Sequence, residues 1–81
     1  MSNQSQPRVH VGIDDALYYR SHGKAPRGRG GWLFFIDGDR DASRAFNANG
    51  TFAEARKVAM AEAKRRAVEA GVNFVMVEVA P

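Results

Sequence analysis

Between Arg20 and Ile36 the chain carries four cations, Arg20, Lys24, Arg27 and Arg29, and no acid. Gly28, Gly30 and Gly31 are interleaved with the last two. Glycines let the backbone come close to a phosphate and expose its amides, and guanidinium forks match phosphate oxygens. His22 and Trp32 flank the stretch, so a base or ribose could stack beside the charge. The chemistry this combination could perform is nucleic-acid or phosphate binding. A solvated loop whose glycines merely serve a turn, or a contact with a protein, accounts for the same composition. The Gly-x-Gly spacing is no dinucleotide fingerprint, because these glycines precede a strand instead of opening a helix after one.

A second basic feature is Lys64-Arg65-Arg66, with Arg56 and Lys57 one to two turns earlier. Glu54, Glu62 and Glu69 offset it, and a solvated helix face explains it. If this face met nucleic acid, Lys57 and Lys64 would be its contacts, because seven residues of helix bring them to the same side.

Catalytic and metal chemistry find no residue set. There is no cysteine, and His10 and His22 stand twelve apart without a metal-binding spacing. Asp37-Gly38-Asp39-Arg40-Asp41 looks like the start of a calcium loop. Counted from Asp37, however, Ala42 and Ala48 occupy the places where an EF-hand needs glycine and glutamate. It reads as a turn. We therefore expect no enzyme, cofactor or metal.

The elements that must position these residues fit one domain, since 81 residues leave no room for two. Residues 1–7 read as a disordered polar tail and 8–81 as the domain. A net charge of +3 and a hydrophobic fraction of 44% describe a mildly basic globular chain. No apolar run could span a membrane, and the polar start resembles no leader, so the expected location is cytoplasmic.

Residues 8–12 alternate like a short edge strand, or form an extended lead-in. Asp14 as N-cap, Ile13 and Leu17 four apart, and Gly23 as terminator predict a short helix over 14–22. Residues 24–31 read as an irregular loop, 32–36 as a strand, 37–41 as a turn, and Ser43 to Asn47 as the returning arm of a hairpin. Asn49-Gly50 reads as a second turn. Thr51-Phe52-Ala53-Glu54 is a capping box that opens an alanine-rich helix over 52–70, stopping at Gly71. Phe52, Ala55, Ala59, Ala63, Ala67 and Ala70 form its apolar stripe, with Met60 on the flank. Residues 73–79 are the last strand. The expected fold is α+β: a small three-stranded, mainly antiparallel sheet on one long helix, in the order α-β-β-α-β.

Period-two alternation puts Trp32, Phe34 and Ile36 on one face of the sheet and Leu33 and Phe35 on the other. Val75, Val77 and Val79 likewise oppose Phe74, Met76 and Glu78. One long helix covers one face. Leu33, Phe35, Phe74 and Met76 would then form an apolar interaction face, covered by residues 8–22, by a second copy in a homodimer, or by a partner.

Residues 27–67 resemble the short sheet-plus-helix DNA-binding modules, the plant AP2 type and the amino-terminal arm-binding domains of phage integrases. Arg27-Gly28, Gly31-Trp32, Gly50-Thr51-Phe52, Glu54-Ala55 and Ala59 carry the resemblance. It implies that Arg27, Arg29, Trp32 and Phe34 lie on or near a sheet face that enters a major groove. That family places three strands before its helix, where this chain shows two. The sequence of a Trp-rich hairpin, an alanine-rich helix and a closing strand is also similar to small proteins of phages and mobile elements. Some proteins of that size are anti-CRISPR inhibitors, which implies binding to a nucleic-acid-handling complex.

Overall fold

A computed structural model describes residues 8–81; the expected tail, residues 1–7, lies outside the described residues. The elements in chain order are β1 (His10–Asp14), α1 (Ala16–His22), β2 (Arg29–Ile36), β3 (Phe46–Thr51), α2 (Phe52–Ala70) and β4 (Phe74–Val79), with a 3-10 turn at Ala42–Arg44. The class is α+β, as expected, but the sheet has four strands in the order β1-β4-β2-β3. The fourth strand is β1. It pairs parallel to β4, from His10 opposite Phe74 to Asp14 opposite Glu78. β2 is antiparallel to both β3 and β4, so the sheet is mixed.

α2 forms where its sequence signals it. The Thr51 hydroxyl accepts from the Glu54 amide at 3.1 Å, and the Glu54 carboxylate accepts from the Thr51 amide at 2.9 Å. Gly71 ends the helix in the left-handed conformation that suits a residue without Cβ. Ala55, Ala59, Ala63 and Ala67 are buried. They pack on the inner sheet face, with Trp32, Phe34, Ile36, Val75, Val77 and Val79 in the same core. Ala70, expected on this stripe, is exposed.

Several boundaries differ from the sequence reading, each for a local reason. Asp14 does not cap α1 as its N-cap residue; Asp15 holds that position, and the Asp14 carboxylate reaches forward to the Ala16 amide at 2.8 Å. The return of the hairpin is delayed. The Asp41 carboxylate accepts from the Ser43 amide and hydroxyl, which winds residues 42–44 into the 3-10 turn before β3 begins at Phe46. Asn49 and Gly50 are consequently strand residues and make no turn. Gly50 lies opposite Gly30, and its φ of 121° is open to glycine alone in practice. Arg29, Gly30 and Gly31, read as loop, are likewise the first residues of β2.

Gly50 also makes room for the helix start. A Cβ there would stand 2.7 Å from Glu54 Oε1, inside the capping box. Gly50→Ala should therefore cost about 1–3 kcal/mol, combining backbone strain with the loss of a cap. Urea denaturation followed by circular dichroism measures this, and an unchanged midpoint would contradict it.

Candidate functional site

The basic stretch is tied down at both ends of its course. Gly23 closes α1 with its amide on the Tyr19 carbonyl at 2.7 Å. The Gly28 carbonyl accepts from the Phe52 amide, the first residue of α2, at 2.8 Å. Pro26 between them is buried. Lys24, Arg27 and Arg29 thus project from a fixed backbone path between the end of α1 and the start of α2. All three, and Arg20, are exposed, and none joins an ion pair among the described residues.

Arg27 and Arg29 line a cleft of about 390 Å³ beside Tyr18, His22, Trp32 and Pro81. No acidic side chain lines it. Arg20 and Lys24 flank this end of the molecule without lining the cleft. Tyr18 and His22, one helical turn apart, stack with ring centroids 4.0 Å apart.

Trp32 is not the exposed stacking residue the sequence suggests. Its side chain points to the inner face and is buried. Phe52 meets its ring edge-on at 5.0 Å, Tyr18 lies 5.7 Å away, and its Nε1 donates to the Gly50 carbonyl at 3.2 Å. Phe34 is wholly buried in the same layer. The resemblance to sheet-plus-helix modules puts Trp32 and Phe34 near a groove; here they fill the core.

The two basic features do not converge. α2 presses its alanine stripe on the inner face, so Lys57 and Lys64 point away from the sheet. Two of the three cations in the run Lys64-Arg65-Arg66 are paired: Arg65 bonds Glu62 and Glu69, and Arg66 bonds Glu62 at 2.7 Å. The two guanidiniums hold the Glu62 carboxyl down at about 2.

The outer sheet face is also not one apolar surface. Residues 8–22 supply an added strand and a flanking helix, with Val11, Ile13 and Tyr18 joining the inner core. Arg40, from the β2–β3 connection, makes a two-pronged ion pair with Glu78 at 2.9 and 2.6 Å. Glu78 lies opposite Phe35 in register, and Phe35 is buried. The pair separates Phe74 and Met76, which lie over Gly12 of β1, from Leu33 near the other end of the sheet. Phe74 is 52% exposed and Leu33 39%. Sequence periodicity places all four residues on one face but cannot reveal a cation arriving from a turn.

Sequence reasoning also passed over Asn47 and Asn49. Both are exposed on the outer face of β3, opposite Leu33 and Gly31. Their alternation with Ala48 was the available signal, masked by the turn-like pair Asn49-Gly50.

Among the described residues no cluster of three or more His, Cys, Asp or Glu could hold a metal, and no helix is long and apolar enough to cross a membrane. Comparison with protein-family models, curated proteins and solved structures finds no match.

The Arg40 guanidinium holds the Glu78 carboxyl below its ordinary 4.5. A carboxylate whose folded pKa is depressed adds stability above its unfolded pKa and loses it as pH falls through the folded value. Folding stability should therefore decline below about pH 4.5, and Glu78→Gln should make that decline shallower while lowering stability at neutral pH. Urea midpoints across pH 2–7 test this; an identical acid profile in the variant would contradict it.

Proposed function

We propose that this chain is a small non-enzymatic accessory protein that binds nucleic acid, alone or in a nucleoprotein complex, through the basic end formed by α1, the loop 24–28 and the start of β2. The observation that carries this reading is four exposed cations without an ion-pair partner among the described residues, on a backbone anchored to both helices. Elsewhere Arg40, Arg44, Arg65 and Arg66 are all paired to carboxylates. Arg8, Arg56, Lys57 and Lys64 also stand outside these ion pairs, so what sets the basic end apart is four such cations within residues 20–29 with no acid among them. Arg27 and Arg29 would contact phosphates across the cleft, Lys24 and Arg20 would extend the positive field, and Trp32 would hold the strand that carries Arg29.

A second reading rests on the patch of Phe74 and Met76 against β1. A half-exposed phenylalanine beside a thioether on an uncovered face suits contact with a protein, such as a nucleic-acid-handling complex that the chain would inhibit. It involves different residues, so the two readings separate by mutation.

In a gel-retardation series the chain should bind generic nucleic acid at low salt, with affinity falling linearly on a log–log salt plot. Arg27→Ala with Arg29→Ala should weaken binding at every salt and reduce the slope by about two. Phe74→Asp should leave both unchanged. No retardation at low salt, or a slope indifferent to the arginine pair, would sink the proposal.

A further inference from the structure

Residues 29–33 of β2 pair with 47–51 of β3 from the last contact of β4 outward: β4 ends at Val79 opposite Phe34, the Ala80 amide donates to the Leu33 carbonyl, and residues 29–32 lie beyond it. This part of the sheet is a two-stranded ribbon. Trp32, Ala48 and the glycine pair Gly30–Gly50 form its inner face. Arg29, Gly31 and Leu33 on one strand and Asn47 and Asn49 on the other form its outer face, while Thr51, opposite Arg29, turns its hydroxyl to the Glu54 amide at the start of α2.

The composition of that outer face runs against strand propensity. Asparagine and glycine are depleted in strands, because neither packs well on a pleated surface. Here Gly31, Asn47 and Asn49 occupy outward positions where valine or threonine would be more stable. Local rules broken together at one place mark function more often than accident. Gly31 adds a geometric detail: a Cβ there would lie 3.2 Å from Asn49 Oδ1, so the absence of a side chain leaves the carboxamide free to lie across the ribbon.

We infer that the ribbon's outer face reads base edges in the major groove of duplex DNA, with Asn47, Asn49 and Arg29 as the specificity-determining residues. This rests on the nucleic-acid reading above and names its ligand. A carboxamide pairs with adenine N6 and N7 through two hydrogen bonds, and a guanidinium pairs with guanine O6 and N7. Leu33, exposed on the same face, offers an apolar surface to a thymine methyl group. Five paired positions make a ribbon roughly 16 Å long and two strands about 4.8 Å apart, and a groove about 12 Å wide admits a two-stranded ribbon. Lys24 and Arg27, just before the ribbon, carry the charge for the flanking phosphates.

The same residues argue against the competing nucleic acids. Single-strand binding needs exposed aromatic rings on which bases stack, and the ribbon's outer face carries none: Trp32 is buried in the core, and the exposed rings at this end, Tyr19 and His22, stand on α1. Double-stranded RNA has a major groove too deep and narrow for side chains to read.

The test is selection from a randomised duplex DNA library by the native chain, followed by anisotropy titrations of the selected duplex, its scrambled version, the matching single strand and the matching RNA duplex. The native chain should enrich a motif containing adenine or guanine positions and prefer the duplex DNA. Asn47→Thr and Asn49→Thr should each lose about tenfold of the preference at one position, with the salt slope unchanged. Threonine suits a strand, so these variants should melt no lower than the native chain, and lost selectivity would not be lost folding. Arg27→Ala should weaken all duplexes alike. Binding without an enriched motif, unchanged preference in both threonine variants, or tighter binding of the single strand or RNA would overturn this inference and leave the nucleic-acid reading standing. Absence of binding to all four probes would remove both.

Discussion

Four alanines, Ala55, Ala59, Ala63 and Ala67, are the contact through which α2 meets the sheet, and their small size sets the geometry of everything else. A helix whose contact stripe is methyl groups lies close to the strands, and the large apolar side chains must come from the sheet. Trp32, Phe34, Ile36, Val75, Val77 and Val79 fill that role. Because one helix of 19 residues supplies the long covering element, the strands are buried on one side and left open on the other. The short chain uses α1 to finish the core beside Trp32 instead of shielding the second face.

The open face is organised by charge as much as by apolar surface. Arg40 reaches from the β2–β3 connection to Glu78 and closes over the region of Phe35. What remains is a small apolar patch by β1 and a polar ribbon at the opposite end. The basic stretch feeds directly into that ribbon, and the Gly28 carbonyl joins it to the first amide of α2. Charge, cleft and ribbon therefore occupy one end of the molecule, while the cations of α2 face elsewhere and are partly neutralised by glutamates.

Much of this was legible in the sequence, and the rest was hidden for definable reasons. The capping box at Thr51 and Glu54 and the stop at Gly71 are local signals, and α2 runs between them. Alternation correctly sorted Trp32, Phe34 and Ile36 from Leu33 and Phe35. It could not say which set faces the helix, so Trp32 passed for an exposed stacking residue when it is core. β3 was misplaced because Asn49-Gly50 has the composition of a turn and because the Asp41 cap inserts a 3-10 turn before the strand. That single shift concealed Asn47 and Asn49 as outward strand residues. The parallel pairing of β1 with β4 joins the two ends of the described chain, and no local pattern encodes it.

Ligand contact should be concentrated at the end built from the loop 24–28 and the β2–β3 ribbon. An amide-resolved NMR titration of the labelled chain with duplex DNA at low salt tests it most directly. Shifts should cluster in residues 22–33 and 47–51 and fade as salt is raised, with the exposed face of α2 around Lys57 and Lys64 unaffected. Shifts centred on that helix face, or on Phe74 and Met76 beside β1, would contradict it.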